Sequence, residues 1–259
     1  RLFPRILAQV EATHANLRRN PDGLRLVRTA EEVRQAKRDG VPAAMFCLEG
    51  VHPLRGRLDR LDRLVDRGLR AVGLLHFADN EAGAPAMGRG KNQIEGLRAF
   101  GPEVVDYCAE RGLLVDLAHI NRPGFMEVVR RTPDPVIVSH TGVTGAYAHR
   151  RNIDDGQIRA VADTGGCVGV IYSRQFLGGP GMEALVRHLE HLLKVGGADT
   201  PALGSDYDGY VIPPRELPDA SALPRITEAL LRRGHAPEVV RKILGENALR
   251  VLEAVPPRS

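Results

Sequence analysis

GLLVDLAH (112–119) decides the fold of this chain. Bounded by Gly112, an apolar run of Leu and Val delivers a single imidazole, His119. Such a run is too short for a helix and reads as a strand buried on both faces. Three further stretches have the same form: AAMFCLEG (43–50) delivers Glu49, PVIVSH (135–140) delivers His140, and PALGSDYDG (201–209) carries Asp206 and Asp208. Helical stretches separate them, so the strands are predicted to be parallel, with their carboxyl ends on one rim. In a (β/α) barrel that rim holds the active site. A carboxylate, two imidazoles and an acid converging there point to a metal-dependent hydrolase.

The 259 residues, 43% of them hydrophobic, suffice for one domain with a large core, so residues 1–259 are read as a single barrel domain. Aromatics make up only 4% and Trp is absent, so Leu, Val, Ile and Ala must build that core. Net charge is +4, with 36 basic residues against 32 acidic. Only Lys37, Lys91, Lys194 and Lys242 are lysines, so the basic residues are overwhelmingly arginine, with acids interleaved as in RLDRLDRLVDR (57–67). That pattern describes solvated helix faces and not a nucleic-acid footprint, which clusters its charge. Cys47, Cys108 and Cys167 have no close spacing and read as buried, inert thiols. No stretch is apolar enough to span a membrane, and a cytoplasmic location is the expectation.

Six strands are predicted, at 42–49, 69–77, 113–119, 135–140, 167–173 and 202–206. Helices are predicted at 30–39, 58–67, 102–111, 122–131, 155–163, 182–194, 221–233 and 237–254, with a further helix and a loop in 1–28. Thr29 ahead of EEVRQA reads as a cap, and Gly40, Gly68 and Gly112 as helix ends. Strand–helix alternation leaves a closed barrel or an open doubly wound sheet. The open sheet usually shows a glycine-rich phosphate loop after an early strand. The one glycine-rich stretch, 87–93, follows no strand and lacks Ser or Thr after Lys91. The fold class is therefore α/β, of the (β/α)8 TIM-barrel type, with about six βα units present.

Glu49-Gly-Val-His52, Leu75-His76, Val-Asp-Leu-Ala-His119, Val-Ser-His140, Arg150-Arg151-Asn152 and Gly204-Ser-Asp206-Tyr-Asp208-Gly209 occur in order and in register. Together they resemble the renal (membrane) dipeptidase family of zinc peptidases, over residues 20 to 254. The resemblance implies a (β/α)8 barrel with two zinc ions, a dipeptide substrate attacked by metal-bound hydroxide, and a homodimer as one possible assembly. It makes Glu49 the bridging ligand and assigns His119 and His140 to the second zinc. It gives His76 the developing oxyanion, Asp206 the proton shuttle and Arg151 the substrate's carboxylate.

Local chemistry agrees with these roles and also offers plainer ones. A carboxylate can bridge two cations, although Glu49 could instead cap a helix. Neutral imidazole suits zinc, and two histidines on neighbouring strand ends beside a glutamate favour ligation over hydrogen bonding in the core. A guanidinium grips a carboxylate in bidentate fashion, yet an arginine in so arginine-rich a chain could be a surface cation. Tyr172 is expected to line the substrate pocket and Asp208 to support the turn before Gly209. His188 and His191, at i and i+3 on a helix, are expected to face solvent. His52 and His149 are read as supporting or packing residues, and Arg150 as surface.

The family carries a His-x-Asp on its first strand, and no His-x-Asp occurs in these 259 residues. One reading covers both this and the shortfall of strands: the family's N-terminal portion lies outside the sequence. What remains is one complete ligand set, Glu49, His119 and His140. Two other functions stay open on the residues, another barrel amidohydrolase acting on a lactone, lactam or phosphoester, and an inactive barrel scaffold.

Overall fold

A computed structural model describes residues 2–258. Six strands form one parallel sheet: β3 (Phe46–Glu49), β4 (Leu69–Gly73), β5 (Leu114–Asp116), β6 (Ile137–Thr141), β7 (Cys167–Val170) and β8 (Pro201–Leu203). They lie in chain order, β3-β4-β5-β6-β7-β8, each beside its predecessor. That winding belongs to a barrel and not to an open doubly wound sheet, which reverses direction part-way. Among the described residues β3 and β8 do not pair, so the sheet is an arc of the barrel. Two short segments, β1 (Arg25–Leu26) and β2 (Ala43–Ala44), pair in parallel as a separate ribbon that the sequence reading did not anticipate.

All six predicted strands are present, and four of them stop pairing before their predicted carboxyl ends. The segment 69–77 is laddered only through Gly73, and 113–119 only through Asp116. The remaining residues leave the ladder as rim loops, which is how His76 and His119 come to project from the sheet. The predicted strand 42–49 divides between β2 and β3, with a register shift between Phe46 and Cys47. Strand interiors approach closely where glycine permits. A Cβ on Gly204 would lie 2.2 Å from the carbonyl oxygen of Ser139.

The helices are α1 (Leu2–Arg19), α2 (Ala30–Arg38), α3 (Asp59–Val65), α4 (Phe100–Arg111), α5 (Arg122–Arg131), α6 (Asp155–Asp163), α7 (Arg174–Leu177), α8 (Met182–Gly196), α9 (Pro224–Arg232), α10 (Pro237–Arg241) and α11 (Asn247–Ala254). Thr29 accepts from the Glu32 N–H while Glu32 reaches back to the Thr29 N–H, a reciprocal cap that starts α2. Asp154 and Gln157 repeat the device at α6. The helix predicted over 237–254 is interrupted by a π-helical segment, Lys242–Glu246, at which Gly245 leaves helical geometry.

The core is aliphatic, as the composition requires. Val72, Leu74, Val104, Phe125, Val168 and Leu189 are fully buried between sheet and helices. Arg70 is a charged residue buried inside this shell, with 0% of its surface exposed. Its guanidinium donates to the carbonyls of Arg28 (2.7 Å), Gly112 (2.5 Å) and Val255. Three distant segments are thereby tied to β4.

Cys108 and Cys167 are buried, as expected. Cys47 is not, because β3 is an end strand and its thiol opens onto an apolar cavity of about 480 Å³ inside the arc. Desolvation nevertheless pushes the pKa of its thiol up to about 12. Among the described residues no helix is long and apolar enough to cross a membrane.

Candidate active site

Four strand ends deliver side chains to one point above the sheet. Glu49 closes β3, and Gly50 follows at φ +87°, turning the chain back over the rim. His119 sits three residues past β5 with φ +69°, a left-handed conformation rare outside glycine. The Ala86 N–H donates to its carbonyl at 2.7 Å and helps hold that backbone. His140 lies within β6. His119 Nε2 is 3.1 Å from Glu49 Oε1 and 2.8 Å from His140 Nε2, and His140 Nε2 is 3.5 Å from the same carboxylate oxygen. His76 Nε2 stands 3.8 Å from Glu49 Oε2, its ring edge-on to His119 at 4.7 Å.

This donor set fits a cation. Burial pushes His119 down to about 3 and His140 to about 4, so both imidazoles are neutral at physiological pH. The hydrogen bond with His119, more than any other contact, holds the Glu49 carboxyl at about 2. Two neutral imidazoles and a carboxylate are the ligand types zinc accepts. Their mutual separations of 2.8, 3.1 and 3.5 Å bracket the edge, about 3.3 Å, of a tetrahedron built on metal–ligand bonds of about 2.0–2.1 Å. Glu49, His76 and His119 also fall within 4.8 Å of one another, so His76 borders the same position.

Beneath this cluster lies Asp116, a buried acid that the sequence reading passed over. Its Oδ1 accepts from the Ala118 N–H at 3.0 Å and the Ser139 N–H at 2.9 Å. One carboxylate thus ties the turn bearing His119 to the strand bearing His140. Ser139 Oγ is 2.9 Å from His140 Nδ1, leaving Nε2 to face the cluster. An ionisable residue in the middle of LLVDLA was the available signal.

Arg151 is 3% exposed. Its guanidinium donates to the His140 carbonyl at 2.9 Å and to Thr141 Oγ1 at 3.4 Å, while Nε has no partner. No carboxylate among the described residues lies within 4.0 Å of it. Desolvation lowers its pKa to about 10. Asp206 follows β8 with φ +59°. Burial first, and then the charge of Glu49, raises its pKa. Glu49, His76, His119, His140, Arg151 and Asp206 all line one cavity of about 670 Å³, bordered by Asp208 and Arg174.

Two expectations fail. Tyr172 does not line this cavity: Ile171 and Ser173 do, and the alternation of side chains turns Tyr172 into the core, 5.5 Å from the Tyr207 ring. His188 does not face solvent but is fully buried, because its side of α8 is the one packed inward. The Val143 N–H donates to its Nδ1 at 2.9 Å, and its Nε2 is 3.3 Å from the Leu177 carbonyl. His191 is half-hidden as well, 2.6 Å from Asp155.

A parallel arc bearing a carboxylate–imidazole cluster and a buried arginine defines a barrel metallohydrolase. The family model for membrane dipeptidase (Peptidase family M19) matches residues 2–257, and the chain belongs to that family of metal-dependent dipeptidases. A Klebsiella pneumoniae relative, an uncharacterized protein in the pqqA 5′ region, is 30% identical over 242 residues, covering 90% of this chain and 89% of its own. A metallo peptidase from Rhodobacter sphaeroides, solved with a phosphinate mimic of the dipeptide L-Ala-D-Ala, superposes with a TM-score of 0.89 at 28% identity, covering 97% of this chain and 74% of that one. A second solved relative, dipeptidase AC, gives a TM-score of 0.91 at 28% identity, with 97% of this chain and 77% of that one covered.

Proposed function

We propose that this chain is a zinc dipeptidase whose metal is held by Glu49, His119 and His140, and that Arg151 receives the free carboxylate of the substrate. A cation bound there would supply Lewis acidity, lowering the pKa of a water and polarising the scissile carbonyl. The residues around it divide the remaining work. Arg151 orients the dipeptide by a charge-assisted pair with its terminal carboxylate. His76, on the open side of the cluster, donates from Nε2 to the oxyanion that develops on the attacked carbonyl. Asp206 takes the proton released by the attacking water and returns it to the leaving amine. Its raised pKa suits a group that must both accept and donate.

The observation that carries this reading is Arg151, a guanidinium 3% exposed with no acid beside it. Burying an unpaired charge is costly, and an anionic ligand supplies the missing partner. The phosphinate mimic of L-Ala-D-Ala bound by the Rhodobacter sphaeroides relative is a molecule of the same class. The test compares a free dipeptide with its C-terminal amide in the zinc-loaded wild type and in Arg151→Ala. The wild type should favour the free dipeptide by about tenfold or more in kcat/KM, and Arg151→Ala should abolish that preference. Equal hydrolysis of the two by the wild type would overturn the assignment.

A further inference from the structure

A second arginine faces the same cavity without an acid. Arg174 opens α7, just past β7. Two hydrogen bonds fix it to the neighbouring loop: its backbone N–H donates to the Ile212 carbonyl at 3.0 Å and Nε to the Pro213 carbonyl at 2.6 Å. The two terminal nitrogens of its guanidinium make no hydrogen bond and lie beyond 4.0 Å of every carboxylate among the described residues, Asp208 included. Some arginines on the outer helices behave differently. Arg122, Arg131 and Arg233 each hold an acid at 2.6, 2.5 and 2.7 Å.

The order of the strands gives this arginine a place along a bound substrate. The metal-type cluster occupies the ends of β3, β5 and β6, and Arg151 follows β6 on the next loop. Arg174 follows β7, one strand further round. A dipeptide with its scissile carbonyl at the cluster and its terminal carboxylate at Arg151 would have the β7 loop, and Arg174 with it, next to its second residue. Phe176 and Ile212 border that end of the cavity and offer apolar walls to a short methylene chain. We infer that Arg174 is a second anion receptor, and that this enzyme selects dipeptides whose C-terminal residue carries a side-chain carboxylate. The inference rests on the reading of Arg151 given above.

The experiment pairs Ala-Glu with its neutral isostere Ala-Gln, each with an L- and a D-configured second residue, in the zinc-loaded wild type and in Arg174→Gln. In the wild type kcat/KM should favour Ala-Glu by about tenfold, the worth of a hydrogen bond to a charged group. The ratio should fall to about one in Arg174→Gln. A ratio unchanged by the substitution, or a wild-type ratio of one or less, overturns the proposal. A calorimetric arm needs no turnover: free glutamate should bind the wild type more tightly than glutamine, and Arg174→Gln should remove the difference. If neither dipeptide is hydrolysed, the dipeptidase reading fails, while the calorimetric difference still decides the role of Arg174.

Discussion

His119 and Asp206 each adopt a positive φ with a full side chain, at +69° and +59°. Such conformations cost on the order of 1–3 kcal/mol and persist where the surroundings enforce them. Here they aim an imidazole and a carboxylate into the cavity. The donor set makes a definite prediction at this scale. Zinc-loaded, dialysed protein should retain no more than one tight zinc per chain by elemental analysis, and His140→Ala should lose it. Two tight equivalents would show that other residues ligate as well. Asp206→Asn keeps the volume of the side chain and removes the base. Turnover should fall by about 10²–10⁴-fold with the zinc content unchanged. Loss of zinc in that variant would make Asp206 a ligand and contradict the proton-shuttle role.

At the scale of elements, α8 does more than cover the sheet. His188 reaches from it to the loop after β6 at Val143 and to the end of α7 at Leu177. The loop it steadies carries Arg151. Burial depresses the pKa of His188 from 6.5 to about 4, so the folded protein holds this ring neutral while the unfolded chain protonates it below pH 6.5. The resulting stability is fully present above pH 6.5 and is lost as pH falls toward 4. His119 and His140 push in the same direction in the metal-free protein. Urea midpoints of metal-free wild type should therefore drop between pH 7 and pH 4.5. His188→Gln should shrink that drop by on the order of 2–3 kcal/mol. An equal drop in both proteins would remove His188 from the balance.

For the whole molecule, Arg70 makes three hydrogen bonds that tie the arc to segments distant in sequence. It joins β4 to the loop before α2, to the end of α4 and to the residue after α11. An arginine in an otherwise apolar strand, LRAVG, was the signal available for this in the sequence. Arg70→Leu would leave three buried carbonyls without donors. It should lower unfolding free energy by about 3 kcal/mol or more, measured by urea denaturation at pH 7, and Arg70→Lys should recover part of the loss. A change below about 0.5 kcal/mol, the size of an ordinary surface substitution, would contradict this role.

The sequence by itself determined the parallel βα order, all six strands of the sheet and the arrival of Glu49, His119 and His140 at one rim. These are short-range properties: an apolar run, its punctuation and the residue that ends it lie within a few positions of one another. It also determined the family, through six motifs in register. Tertiary structure alone decided which way side chains point once the strands leave the ladder. Alternation turned Tyr172 inward and left Ile171 and Ser173 at the cavity. Packing of α8 buried His188, and Asp116 became the strut between the segments that carry His119 and His140. Arg174 took its place at the cavity because the loop at 212–213, far along the chain, holds it there. Such orientations depend on contacts between residues distant in sequence, and local periodicity carries no record of them.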